Sequence, residues 1–116
     1  MSADTTFADK LSALRAEQKM GVRELGRAVG ATGMHMSNLE KAKSAPSAEL
    51  VLKLAEVLEA NADELLYLAD QVSPEVVDVI HQNPLAIPNF LRSAKNLTPE
   101  QWELLQKQVE QMTEEK

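Results

Sequence analysis

All four glycines of this 116-residue chain lie between positions 21 and 33, at Gly21, Gly26, Gly30 and Gly33, and none follows. Glycine lets a backbone turn left-handed or approach a neighbour closely. The sharp, crowded part of the fold therefore belongs to the first third, and later turns must be built from caps and prolines. Extended β-branched alternation is absent while Leu, Ala, Glu and Lys dominate, so helices are predicted nearly throughout. The fold class is all-α.

The helices can be placed one at a time. Phe7, Leu11 and Leu14 form an apolar stripe with Lys10, Arg15 and Lys19 outside it, which predicts a first helix. A second runs from about Val22 to Val29, burying Val22, Leu25 and Val29, and stops at Gly30. Thr32 is a good N-cap for a third, from Gly33 to about Lys41, with Met36 and Leu39 as apolar positions and Met34 as a further candidate. Pro46-Ser47 opens a fourth, in which Leu50, Val51, Leu54, Val57 and Leu58 face inward. Asn61 caps a fifth, carrying Leu65, Leu66 and Leu68. After Asp70 the punctuation changes to Ser73-Pro74, Asn83-Pro84 and Thr98-Pro99. A Ser or Thr cap followed by a first-turn proline starts a helix, and Thr98 with Gln101 forms a capping box. Helices are expected at about 74–82, 86–95 and 99–112. A boundary near Gln71 to Ser73 divides a five-helix unit, residues 7–70, from a helical tail, residues 73–116.

Charge and composition narrow the function. With no cysteine, disulfide frameworks, thiolate metal sites and cysteine nucleophiles are excluded together. The start, Met1 to Thr6, is polar and lacks the basic-then-apolar order of a signal peptide, and no apolar run could span a bilayer. The expectation is a soluble, cytoplasmic protein with no membrane partner. Net charge is −6, but it is unevenly spread. Residues 1–45 hold seven Lys and Arg against five Asp and Glu, whereas residues 46–116 hold five against thirteen. If one part meets phosphate, it is the first. His35 and His81 stand on segments with no reason to meet, and no cluster has metal-ligand spacing. Carboxylates lie on helix faces without a pocket to shift them. No enzymatic reaction, cofactor or metal is expected.

A helix ending at Gly30, a short turn and a short helix capped by Thr32 make a helix-turn-helix arrangement. Position 26, where the two helices cross, requires a small side chain, and Gly26 supplies one. The stretch Arg23-Glu24-Leu25-Gly26-Arg27-Ala28-Val29-Gly30-Ala31-Thr32, then Met36-Ser37-Asn38-Leu39-Glu40-Lys41 and Pro46-Ser47, resembles the XRE or Cro-like family of repressors. Leu50 to Ala55 and Asp63-Glu64-Leu65-Leu66 continue the resemblance, which covers about residues 7–70. It implies a five-helix, lambda-repressor-like domain whose third helix enters the major groove of double-stranded DNA. The DNA-binding residues it implies are Thr32, Gly33, Met34, His35, Ser37 and Asn38, with Arg23, Lys41 and Lys43 at the flanks. Asn38 suits bidentate bonding to adenine and Met34 suits a thymine methyl. Arg15 and Glu40 stand where the family often carries a structural ion pair between the first and third helices. The chain departs from the family's pattern at five positions. Gly33 and Met34 replace polar readers, Gly21 a Thr or Ser, Val22 a Gln, and Ala42 the usual glycine after the third helix.

In the last helix Trp102, Leu105, Val109 and Met112 recur as a heptad-like seam. It reads as a homodimer interface, or as a face that folds back on the fifth helix of a monomer. Two functions follow. One is a sequence-specific transcriptional repressor binding an inverted-repeat operator as a homodimer. The alternative is an antiactivator or antitoxin-like adaptor that binds a protein partner and keeps the fold without reading DNA.

Overall fold

The computed structural model describes residues 5–114; the polar start at Met1 to Asp4 and the final two residues of the tail lie outside them. Eight helices occur among the described residues: α1 (Phe7–Glu17), α2 (Val22–Val29), α3 (Gly33–Glu40), α4 (Ala48–Leu58), α5 (Ala62–Leu68), α6 (Pro74–Gln82), α7 (Ala86–Ala94) and α8 (Pro99–Glu114). The all-α expectation holds. No helix among the described residues is long and apolar enough to cross a membrane. The chain divides into two compact units between Asp78 and Val79, with α6 running across the division.

Helix starts follow local chemistry. The first backbone N–H groups of a helix have no internal partner, and a side-chain oxygen just before them supplies one. Thr6 accepts from the Asp9 N–H at 3.1 Å, Thr32 from His35 at 3.0 Å and Ser47 from Leu50 at 3.1 Å. Asn61 accepts from Glu64 at 2.8 Å and Ser73 from Val76 at 3.3 Å. At α8 the capping box closes both ways: the Gln101 N–H donates to Thr98 Oγ1 at 3.1 Å and the Thr98 N–H to Gln101 Oε1 at 2.9 Å.

Helix ends are more surprising. Each of α1 to α5 finishes in a Schellman motif, with a left-handed residue whose N–H and whose successor's N–H tie back to the last turn. After α2 that residue is Gly30, at φ 77°. After α1, α3, α4 and α5 it is Lys19, Ala42, Glu59 and Asp70, at φ of 55° to 59°. At the end of α3 the Ala42 N–H donates to the Leu39 carbonyl at 3.2 Å and the Lys43 N–H to the Asn38 carbonyl at 2.8 Å. Ala42 thus adopts the conformation in which a glycine is usual.

The first unit closes around Phe7, Leu11 and Leu14 of α1, Leu25 and Val29 of α2, Met36 and Leu39 of α3, Val51, Leu54, Ala55 and Leu58 of α4, and Leu65 and Leu66 of α5. Eight of the unit's side chains are fully buried, among them Leu11, Leu25, Met36 and Leu39. Each contributes roughly 1.5–3 kcal/mol of transfer free energy. Val22, Leu50, Val57 and Leu68 are only partly buried, at the margin of this core. Met34 is not a core residue: its side chain is 75% exposed. α2 packs on α3 and α4, and α1 packs on α3 and α5, so α3 is held on its inner side by two neighbours.

In the second unit, the Phe90 ring of α7 meets the Trp102 ring of α8 edge to face, with centroids 6.4 Å apart and planes at 76°. That geometry suits the charge distribution of the two rings.

Candidate nucleic-acid interface

The junction of α2 and α3 is built from close backbone approaches. Gly30 turns left-handed, and the Ala31 N–H donates to the Gly26 carbonyl at 2.7 Å. A Cβ on Gly26 would stand 2.8 Å from both the carbonyl carbon and oxygen of Thr32. Position 26 therefore admits no side chain without moving the start of α3. A second close approach was not apparent in the sequence. A Cβ on Gly33 would lie 2.9 Å from Cγ, 3.1 Å from Cα and 3.3 Å from the backbone nitrogen of Arg23. Gly26 inside α2 and Gly33 at the first position of α3 thus let the two helices approach closely.

This packing sorts the residues of α3 into two sides. Met36 and Leu39 point into the core. Met34, Asn38 and Lys41, at steps of four and three, share the outer stripe with Ser37 beside them. Met34 and Lys41 are exposed, while His35, Ser37 and Asn38 are partly exposed. The Thr32 hydroxyl accepts the His35 N–H, so its acceptor capacity is partly spent on the cap. Gly33 contributes backbone rather than a side chain. Lys19, Arg23, Arg27, Lys41 and Lys43 are all exposed around the turn and the end of α3.

Arg15 and Glu40 are joined. Arg15 Nε donates to Glu40 Oε2 at 2.5 Å and Nη2 to Glu40 Oε1 at 3.0 Å, with side chains 23% and 11% exposed. Such a bidentate, charge-assisted pair fixes orientation as well as distance. The hydrogen bonds to Glu40 raise the Arg15 pKa above its ordinary value, outweighing the loss of solvation. A third bond was invisible to spacing: Arg15 Nη1 donates to the Met20 carbonyl at 2.8 Å. One guanidinium thus ties the end of α1, the approach to α2 and the end of α3.

On α8, Trp102, Leu105 and Val109 line an apolar groove of about 370 Å³ together with Phe90 of α7 and the flanking Glu103, Gln106 and Glu110. Trp102 is 40% exposed, Leu105 is partly buried, and Val109 and Met112 are open to solvent. Met112 lies outside the groove. Phe90 was missed in the sequence because it stands on a different helix from the seam. No group of three His, Asp or Glu side chains able to hold a metal occurs among the described residues.

A family model described as a helix-turn-helix domain matches residues 6–68. No functionally curated protein matches the chain. Three solved structures are similar in fold. The P22 c2 repressor in complex with synthetic operator 9T is 26% identical, at a TM-score of 0.51 over 53% of this chain and 92% of that one. The clp gene regulator ClgR from Corynebacterium glutamicum is 20% identical, at 0.50 over 76% of this chain and 88% of that one. The SinR–SinI complex is 17% identical, at 0.51 over 93% of this chain and 99% of that one.

Proposed function

The chain belongs to the XRE-like helix-turn-helix family of DNA-binding transcriptional regulators, and from that premise we propose that it is a cytoplasmic repressor binding an inverted-repeat operator as a homodimer. Residues 7–70 read the DNA and residues 73–116 pair the protomers. The observation that carries this reading is the outer face of α3. Met34, Ser37, Asn38 and Lys41 face away from the core, five exposed basic residues surround the turn, and the inner face is locked by Met36, Leu39 and the Arg15–Glu40 pair.

The roles differ by chemistry. Lys41 and Lys43 neutralise phosphates, which contributes affinity without sequence. Asn38 offers a bidentate partner for adenine, and the Met34 thioether an apolar contact for a thymine methyl. Thr32 and His35 flank them at the start of the helix. In the P22 c2 complex a repressor of this fold sits on its operator, which supports the same use of α3 here. The test is selection of bound sequences from a pool of random duplex DNA, followed by footprinting of the winner. A palindromic protected site supports the proposal, and a pool that fails to enrich removes it.

A second reading is favoured by the net charge of −6 and by the apolar, exposed Met34 at the head of α3. In that reading the same face docks a protein partner and no DNA is read. A net negative molecule binds duplex only through a local basic patch, so the two readings separate on salt dependence. DNA binding weakens steeply as salt rises, whereas an apolar protein contact does not.

A further inference from the structure

The first turn of α3 is short of hydrogen-bonding side chains, with His35 the one that is both polar and uncommitted to the cap. Gly33 has none, Met34 ends in a thioether, and the Thr32 hydroxyl already accepts the His35 N–H at 3.0 Å. The volume that a side chain at position 33 would fill is nevertheless occupied. Arg23 Cγ lies 2.9 Å, and Arg23 Cα 3.1 Å, from where that side chain's Cβ would be. The stem and backbone of Arg23 therefore lie against the head of α3, where a side chain at position 33 would begin.

Nothing else claims the Arg23 head group. It is exposed, and it forms no ion pair or side-chain hydrogen bond among the described residues. Contact of the stem with Gly33 limits its rotamers, and a long side chain ordered in advance loses less freedom on binding. Arginine's planar fork matches guanine O6 and N7 bidentately, the commonest specific contact in the major groove.

We propose that Arg23, packed against Gly33, reads a guanine in each half-site, so that α2 supplies the hydrogen-bonded readout that position 33 cannot. Gly33 then serves this reading as well as the close approach of the two helices, because a side chain there would meet both the stem and the backbone of Arg23. This inference rests on the reading of α3 as the groove helix and assigns one of its contacts to the neighbouring helix.

Three full-length proteins are compared by selection from a random duplex pool: wild type, Arg23→Lys and Arg23→Ala. Wild type should enrich a palindrome with a fixed guanine at one position per half-site. Arg23→Ala should lose that guanine while keeping the preferences contributed by Asn38 and Met34. Its affinity for the wild-type operator should fall roughly 5- to 150-fold, the range for one bidentate contact. Arg23→Lys keeps the charge but not the fork, so the guanine preference should relax while the salt slope stays put. Replacing that guanine by 7-deazaguanine, which lacks the N7 acceptor, should weaken wild type and leave Arg23→Ala unaffected. Circular dichroism melts establish that the variants remain folded. An unchanged consensus with uniformly weaker binding and a shallower salt slope would make Arg23 a phosphate contact and overturn the assignment. Unchanged binding by Arg23→Ala would overturn it as well. A wild-type pool with no enrichment would fail at the earlier step and take the DNA reading with it.

Discussion

Asn38 lies in the last turn of α3 and Lys43 in the loop just after it, yet their substitutions should fail in different ways. Asn38→Ala should cost about 1–3 kcal/mol at one operator position and relax the base preference there. Lys43→Ala should weaken all sequences alike and reduce the slope of log affinity against log salt by about one. Titrating both against operator and scrambled duplex separates the two; equal behaviour would show that the face is misassigned. The Arg15–Glu40 pair should behave as scaffold. Either single change to alanine should cost about 2 kcal/mol, because it strands a charged, partly buried partner. A double-mutant cycle followed by thermal unfolding should give coupling of about 0.5–3 kcal/mol, and additive shifts would refute the pair. The raised pKa of Arg15 fixes the pH signature of its contribution. A folded-state pKa above the unfolded one stabilises fully at lower pH and is lost only as pH rises through the folded value. For a guanidinium that loss belongs to extreme alkali, so this contribution should be flat through neutrality. The outer stripe of α3 could be read from helical periodicity, because those residues share one element. The Arg15 bond to Met20 and the seat of Arg23 on Gly33 could not, because each depends on how separate elements approach.

Helix starts and helix ends differ in what the chain discloses. Thr32, Ser47, Asn61, Ser73 and Thr98 announce starts because capping is side-chain chemistry and is written in residue type. Starts at α3 to α6 and at α8 accordingly fall within a residue or two of expectation, whereas α7 begins after Leu85 with no side-chain cap. Ends are backbone chemistry, and only Gly30 spells one out. Lys19, Ala42, Glu59 and Asp70 take the same left-handed turn without the residue that makes it easy. Each carries a steric cost of about 1–2 kcal/mol. Replacing one with glycine removes that cost but gives the unfolded chain more freedom, worth about 0.4–1 kcal/mol. Ala42→Gly should therefore stabilise the protein by about 0.5–1 kcal/mol net, seen as a Tm rise of a few degrees. A lowered Tm would show that the turn is not under strain. The opposite change at the other end of α3's approach, Gly26→Ala, should destabilise by about 1–3 kcal/mol, since the added methyl meets Thr32 backbone at 2.8 Å. Chemical denaturation checks both in one series.

At the level of the whole molecule, the proposed function turns on charge and pairing together. The net negative chain has few cations to offer one stretch of duplex, so a single copy should bind weakly. Two copies joined through Trp102, Leu105, Val109 and Met112 would make the second half-site contact intramolecular and raise avidity by about 10² to 10⁴. Leu105→Asp buries a charge in that seam, where desolvation opposes association. This variant, and a chain truncated after Val72, should stay helical, run as monomers and lose tight operator binding. Multi-angle light scattering at micromolar concentration decides it: a monomeric wild type, or a dimer that survives truncation, would defeat the proposal. The five Schellman endings bear also on how fast such a molecule comes into being. Each turn of the first unit is shut by partners only three to five residues away in the chain, as in Ala31 to Gly26 and Lys43 to Asn38. Little chain must be searched before those bonds form, and folds made of local contacts reach their native state in microseconds to milliseconds. The first unit should therefore fold far faster than the chain is made, leaving the pairing of two copies as the slow, concentration-dependent step in assembling an active regulator.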